Sequence, residues 1–403
     1  MIAAFISIKI VASIIGPSGI AQLGQLNNFS AIILSLSTAG INTGLTKYIA
    51  EYSDSPKSYY PFIKTGFSLT ILFTITTSFI LITKAKYFAS IILNDSGYSG
   101  IFLIFGLSLI FYSLNAIILS IINGFKEFNK FVIINICGSI IGLIFSIILT
   151  INFGVYGALI SIVTFQSIIF FITLMLIKKN DWLSWSLLSL NIDKSIVAKL
   201  ARFSLMSAAT AIALPSVQII IRSYIVNNYS LNEAGLWEGI NRISNMYLVI
   251  ITTSISIYLL PKLATLHSNY EIRTEIANAY KLILPFLFIA SISIFFLKTI
   301  IIEILFTNEF LGMKDLFLFQ LIGDTLKICV WILGSLILAK AQVKLFIIME
   351  LLSAALQISL SIFFIKELGT VGATVGYALG HLIYFLILLI YFRKLLFPRY
   401  TAN

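Results

Sequence analysis

A chain of 403 residues of which 59% are hydrophobic and 11% charged, with a mean hydropathy of +1.02, is not a soluble domain, which carries roughly 25% charged residues. Apolar runs of about 20 residues recur along its length, enough for an α-helix to cross roughly 30 Å of hydrocarbon, whereas a β-barrel needs short alternating segments. A net charge of +11 suggests nucleic acid in a soluble protein, but here it follows membrane topology, and no nucleic-acid partner is expected.

Taken in chain order, the spans are expected at 1–15, 28–48, 61–83, 100–123, 129–150, 156–177, 203–226, 236–260, 279–297, 316–339, 344–365 and 371–392. The first is short for a bilayer and carries Lys9 in its middle. It lacks a basic start and a small-residue cleavage site, so it does not read as a signal peptide. Either the helix is short or its beginning precedes the sequence given. The second span is unusually polar: Ser35, Ser37, Thr38, Gly40, Asn42, Thr43, Gly44 and Thr46 crowd it. Small residues let helices pack closely, and Asn42 and Thr43 can also hydrogen-bond sugar hydroxyls.

Basic residues gather in alternate connections. Lys57, Lys126, Lys130, Lys178, Lys179, Arg273, Lys340 and Arg393 fall on one side, and only Lys84, Lys86, Lys298, Lys314 and Lys366 on the other. By the positive-inside rule both termini face the cytoplasm. Between the sixth and seventh spans, Trp182 and Trp185 with Leu183, Leu187 and Leu188 read as an interfacial amphipathic stretch. Cys137 and Cys329 lie in apolar runs and read as inert thiols. His267 reads as solvated, and His381 as a packing or hydrogen-bonding residue of the last span. No residues have metal-ligand spacing, and no cofactor, metal or catalytic group is expected.

The halves resemble each other at a shift of about 215 residues: Gly154-Val155-Tyr156-Gly157-Ala158 recurs as Gly369-Thr370-Val371-Gly372-Ala373, Gly19 as Gly235, and Lys47 as Lys262. A common offset signals duplication. The expected fold is therefore an all-α polytopic membrane protein of about 12 transmembrane helices, in two six-helix lobes related by a pseudo-two-fold along the membrane normal. The N-terminal lobe spans 1–177, an interfacial linker 178–202 and the C-terminal lobe 203–403. Such symmetry suits alternating access around a central cavity.

Lys9, Arg222, Glu238, Arg242, Asp324, Lys327 and Glu350 all fall inside spans. Each charge at a helix centre costs about 2.5–3.5 kcal/mol on insertion scales, so these side chains are expected to face water or one another. Glu238 and Arg242 are one turn apart and can pair, as can Asp324 and Lys327. Lys9 and Arg222 have no acidic neighbour in sequence. Arg222 follows Gln218 by one turn and Pro215 by another, and an inward-facing guanidinium suits phosphate.

Ala39-Gly40-Ile41-Asn42-Thr43-Gly44-Leu45-Thr46-Lys47-Tyr48-Ile49-Ala50 resembles the second-helix signature of the bacterial Wzx polysaccharide flippases. Gly16-Pro17-Ser18-Gly19, the block from Gly235-Leu236-Trp237 to Tyr258-Leu259-Leu260-Pro261, and the run from Asn308 to Lys327 do so too, in order across the chain. The resemblance implies membership of the multidrug/oligosaccharidyl-lipid/polysaccharide exporter superfamily, in the bacterial inner membrane. Its implied cargo is an undecaprenyl-pyrophosphate-linked oligosaccharide, O-antigen or enterobacterial common antigen, moved from the cytoplasmic to the periplasmic leaflet. A polysaccharide polymerase and a chain-length regulator are the implied partners. On this reading Arg222, Lys327, Lys9, Arg242 and Lys47 form the cationic substrate site, Asp324, Glu350 and Glu238 balance it or couple ions, and Asn42, Thr43 and Gln218 meet the glycan. Arg242 and Glu238 depart from the common-antigen pattern and point to a different glycan. A multidrug or cation antiporter of the same superfamily is the first alternative, although it calls for a cavity dominated by carboxylates. A membrane polysaccharide polymerase is the second, although the short outer connections leave no catalytic loop for it.

Overall fold

The computed structural model describes residues 2–178, 180, 182 and 192–397. Among them the chain is helical and without strands, and ten helices are long and apolar enough to cross a membrane. The helices are α1 (Ile2–Ser37), α2 (Asn42–Glu51), α3 (Pro56–Thr83), α4 (Ala85–Ile92), α5 (Ser99–Gly124), α6 (Phe128–Ile177) and α7 (Lys194–Asn228). They continue with α8 (Leu231–Thr265), α9 (Asn269–Leu305), α10 (Phe317–Ala339), α11 (Val343–Leu368), α12 (Val371–Tyr391) and α13 (Arg393–Leu396).

Two of these carry internal breaks. In α6 the backbone leaves helical geometry at Gly154 (φ 55°, ψ −135°), leaving legs 128–153 and 155–177, each beyond the roughly 20 residues a span requires. In α1 the break is Gly16 (φ 63°, ψ −173°). The expected loop between 15 and 28 is instead helix. Its Gly, Pro and Ser mimic a loop signal, but Pro17 sits in the first turn after the break, where no N–H is needed.

The expected second span, 28–48, is not continuous. Ala39 (φ 51°) and Gly40 (φ 61°) both adopt left-handed backbone, and α1 ends there before α2 begins. Gly40 N–H closes the end on the Ser35 carbonyl at 2.9 Å, the wide bond of a Schellman-type cap. Irregular backbone at membrane depth persists only where protein or water satisfies it. Here the Thr74 hydroxyl of α3 donates to the Ser37 carbonyl at 3.2 Å, and the Ser37 and Ser113 hydroxyls share a bond of 2.8 Å. The polar residues of this region thus serve a broken helix.

The chain divides into two compact units, Met1–Ile15 with Gln22–Ile219 and Gly16–Ala21 with Ile220–Asn403. In the first, Leu45, Ile49, Ile63, Ile117, Ile121 and Leu200 are fully buried in one core. Trp182 joins it, buried and stacked on Phe125 with centroids 6.0 Å apart, so it packs into protein and not on a lipid surface as expected. Trp185, Leu183, Leu187 and Leu188 lie outside the described residues. Asp193 opens α7, its carboxylate accepting from the Ser195 N–H at 2.8 Å and hydroxyl at 2.6 Å. Those two bonds hold it below the usual carboxylate range.

In the second unit Leu263, Ile276, Ile328, Ile332, Leu333 and Leu388 form the core. Ser230 caps α8 by accepting from the Glu233 N–H at 3.1 Å, and Ser230-x-x-Glu233 has the spacing of a capping box. The Pro17 carbonyl approaches α8 so closely that a Cβ on Gly235 would lie 1.9 Å from it. Two of the segments that carry the family resemblance therefore pack on one another. Elsewhere apolar side chains face outward in helical stripes: Ile136, Ile140, Ile144 and Ile148 on α6, and Leu282, Phe286 and Ile289 on α9. That is the surface a bilayer requires.

The duplicated turn has a duplicated geometry. Gly154 and Gly369 share the same unusual backbone (φ 55° and 64°, ψ −135° and −150°). Three residues on, a Cβ at Gly157 would lie 1.9 Å from the Leu149 carbonyl oxygen, and one at Gly372 2.0 Å from that of Phe364. Contacts that short force backbone to move. Gly157→Ala and Gly372→Ala should each destabilise by about 1–3 kcal/mol and by similar amounts, read as lowered melting temperatures in detergent. Wild-type melting of either variant overturns the equivalence.

Candidate functional site

In the second unit α7 and α8 bring three of the expected charges together. Arg222, on α7, is 1% exposed. Its Nη2 donates to the Glu238 carboxylate, and its guanidinium lies over the Trp237 ring, 5.4 Å from the centroid. Arg242, one turn beyond Glu238 on α8, donates through Nε to the other carboxylate oxygen at 2.9 Å. The Glu238–Arg242 pairing was legible from spacing; the Arg222 pairing, across 16 residues of sequence, was not. Arg222 has no acidic neighbour in sequence, yet the fold pairs it with Glu238. A guanidinium this buried needs a carboxylate to offset its lost hydration.

The cluster holds two cations and one anion, and the arginines differ in access. Arg222 is enclosed, whereas the Arg242 side chain remains 22% exposed. Among the described residues Arg242 hydrogen-bonds to Glu238 through Nε alone, so its Nη groups have donors to spare. Arg222 anchors the cluster; Arg242 presents it.

A second cluster centres on Asp324 of α10, which is 0% exposed. Its carboxylate accepts from Tyr247 of α8, from Tyr377 of α12 at 2.8 Å and from Gln320 Nε2 at 3.3 Å. The expected Asp324–Lys327 ion pair is thereby replaced: no bond of 4 Å or less joins the two among the described residues, and tyrosine hydroxyls satisfy the carboxylate. Gly323 makes this possible, since a Cβ there would lie 2.3 Å from the Tyr377 ring. Lys327, one turn on, is half-buried. His381 packs edge-on against Tyr377 at 4.5 Å and bonds through Nδ1 to the Tyr377 carbonyl at 2.9 Å. Tyr247, Tyr377 and Gln320 were missed in sequence, because membrane tyrosines read as interface anchors and helix register is not written in spacing.

Glu350 is half-buried on α11 and stands outside both clusters. The remaining expected residues belong to the first unit. Lys9 is half-buried on α1, Gln218 half-buried on α7, and Asn42, Thr43 and Lys47 lie along α2. The Ser207 hydroxyl donates to that of Thr43 at 3.0 Å, and the Lys47 ammonium sits 5.0 Å from the centre of the Tyr48 ring.

The fold is that of multidrug resistance MATE family transporters of the MOP superfamily. An inward-facing structure of one such protein matches with a TM-score of 0.80 over 97% of this chain and 93% of its own, at 15% identity. An outward-facing structure matches at 0.68 over 98% and 93%, also at 15% identity. Within that fold the chain belongs to the polysaccharide biosynthesis protein family, whose model matches residues 11–315. A relative is the lipid III flippase of Escherichia coli strain K12, 28% identical over 377 residues, covering 94% of this chain and 91% of that protein.

Proposed function

We propose that this multi-pass membrane protein is a flippase that carries a polyprenyl-pyrophosphate-linked glycan from the cytoplasmic to the periplasmic leaflet of a bacterial inner membrane. The observation that carries the proposal is the Arg222–Glu238–Arg242 cluster, two guanidiniums around one carboxylate in a membrane-spanning unit. A pyrophosphate cannot enter hydrocarbon unaided, because the desolvation of each charge costs several kcal/mol even after relaxation. The free Nη groups of Arg242 offer the planar fork that binds phosphate oxygens in pairs. Glu238 holds the fork in place and lowers the empty site to a single net positive charge. Arg222 fixes Glu238 from its buried side.

The alternating basic connections support a topology with both termini in the cytoplasm. The family resemblance supports a polymerase and a chain-length regulator as the proteins that take over the exported units.

The test is genetic. Deleting the gene should accumulate undecaprenyl-pyrophosphate-linked repeat units and remove the surface polymer, and the accumulated lipid identifies the cargo by mass. Arg242→Gln should fail to restore export at normal protein levels, while the buried-side partner Arg222 keeps the fold. Unchanged lipid intermediates alongside new drug sensitivity move the protein to the multidrug class.

A further inference from the structure

The first unit holds a cavity of about 430 Å³ walled by α2, the end of α5 and the start of α6. That volume lies within the roughly 300–1,000 Å³ of small-molecule sites. The second-unit arginine cluster does not use it. We infer that this cavity is a carbohydrate subsite that takes an uncharged, hydroxyl-rich sugar of the transported glycan, separately from the pyrophosphate. The inference rests on the flippase reading for the origin of its ligand, and on the cavity alone for the ligand's chemistry.

The wall chemistry selects the class. Asn42 Oδ1 is buried and accepts no hydrogen bond. The Thr46 hydroxyl donates to the Ser120 carbonyl at 2.9 Å, and the Ser120 hydroxyl to the Ala116 carbonyl at 2.9 Å. Their protons are committed, so the lone pairs of both oxygens are what they offer the cavity. Against these acceptors stand the N–H donors of the exposed Asn123 carboxamide. A bare anion satisfies only the donors, and a bare cation only the acceptors. A sugar hydroxyl does both at once, and a sugar carries several. Phe131 completes the wall, half-buried at the start of α6, with a ring able to lie against the C–H face of a pyranose.

The backbone break that ends α1 explains why the sequence is so polar here. It starts α2 afresh at Asn42, without a side-chain cap at Ile41, and so places Asn42 and Thr46 one turn apart on the same helix edge. The neighbouring core is unusually close: a Cβ on Gly124 would lie 2.8 Å from Ile49. Helices α2 and α5 therefore pack backbone-close beside the cavity.

The test uses the purified full-length protein in detergent. Methyl glycosides of glucose, galactose and N-acetylglucosamine, and inorganic phosphate as a separate probe, are titrated by saturation-transfer NMR. At least one glycoside should bind, and Phe131→Ala or Asn123→Leu should weaken it tenfold or more. Phe131→Tyr, which keeps the ring, should restore it. Phosphate binding should fall with Arg242→Gln and not with Phe131→Ala. Absence of glycoside binding, or binding indifferent to both cavity substitutions, overturns the inference, and Asn123→Leu serves because an exposed side chain is replaced without disturbing the core. In cells the two readings fail separately. Accumulation in the deletion strain with normal export by Phe131→Ala leaves the flippase standing and removes the subsite. Unchanged lipids in the deletion strain remove the flippase, and the glycoside titration then decides alone whether the cavity binds sugar.

Discussion

Glu238→Leu should destabilise the protein more than Arg222→Met, although both break the same buried pair. Removing one partner of a buried ion pair costs about 3–5 kcal/mol because the other charge is left uncompensated. For Glu238→Leu most of that penalty applies: Arg222, at 1% exposure, loses its carboxylate and keeps a like-charged neighbour in Arg242. Arg222→Met leaves Glu238 with Arg242 at 2.9 Å, and Arg242 reaches solvent. The remaining carboxylate is still paired, so the expected loss is smaller, about 1–3 kcal/mol. The double variant Arg222→Met/Glu238→Leu exchanges the pair for apolar volume and leaves only the accessible Arg242 charged. Such replacements are often close to neutral, so melting should recover most of the way. Melting temperatures of the purified proteins decide the order, and equal losses in the two single variants refute it. Export separates structure from function in the same set. A recovered fold without recovered glycan display assigns the cluster to the cargo, and recovery of both reduces it to a packing device.

The sequence carried the last three spans well: the expected 316–339, 344–365 and 371–392 lie within a few residues of α10, α11 and α12, whereas the expected 279–297 falls well inside α9, Asn269–Leu305. Hydropathy sufficed there because each helix is apolar enough on average to outweigh Asp324, Lys327 and Glu350, and short polar turns set the three apart. The same averaging hid the break at Ala39 and Gly40, since a window of about 19 residues smooths over two residues in left-handed backbone. The repeated Gly-x-x-Gly turn was legible because glycine is fixed by local sterics, and both copies keep the same dihedral angles. Of the charged positions, spacing revealed only contacts within one helix. Glu238 with Arg242 could be read, whereas Arg222 with Glu238 and Asp324 with Tyr377 depend on how α7, α8, α10 and α12 pack. Asp324 with Lys327 had the right spacing and was still displaced, because tyrosine hydroxyls from two other helices reach the carboxylate first.

Asp324→Asn should separate the charge of that carboxylate from its shape. A charged group at 0% exposure in a spanning helix costs about 2.5–3.5 kcal/mol on insertion scales, and the hydrogen bonds from Tyr247, Tyr377 and Gln320 offset it. Asparagine fills the same space. Its oxygen can accept from Tyr377, and its nitrogen can donate to the other tyrosine, so the change in stability should stay near 1 kcal/mol. Tyr377→Phe, in contrast, removes a 2.8 Å bond to a carboxylate, worth about 1.5–3 kcal/mol, while leaving the charge in place. If the carboxylate is an anchor for α8, α10 and α12 and nothing more, Asp324→Asn exports normally and Tyr377→Phe shows the larger defect. The expected result is the reverse for transport: Asp324→Asn lowers export at least about tenfold, a change of roughly 1.4 kcal/mol in a barrier, at nearly unchanged melting temperature. On the proposed function, a carboxylate one turn from Lys327 sets the charge that a doubly anionic headgroup meets, and an amide of equal size cannot replace it.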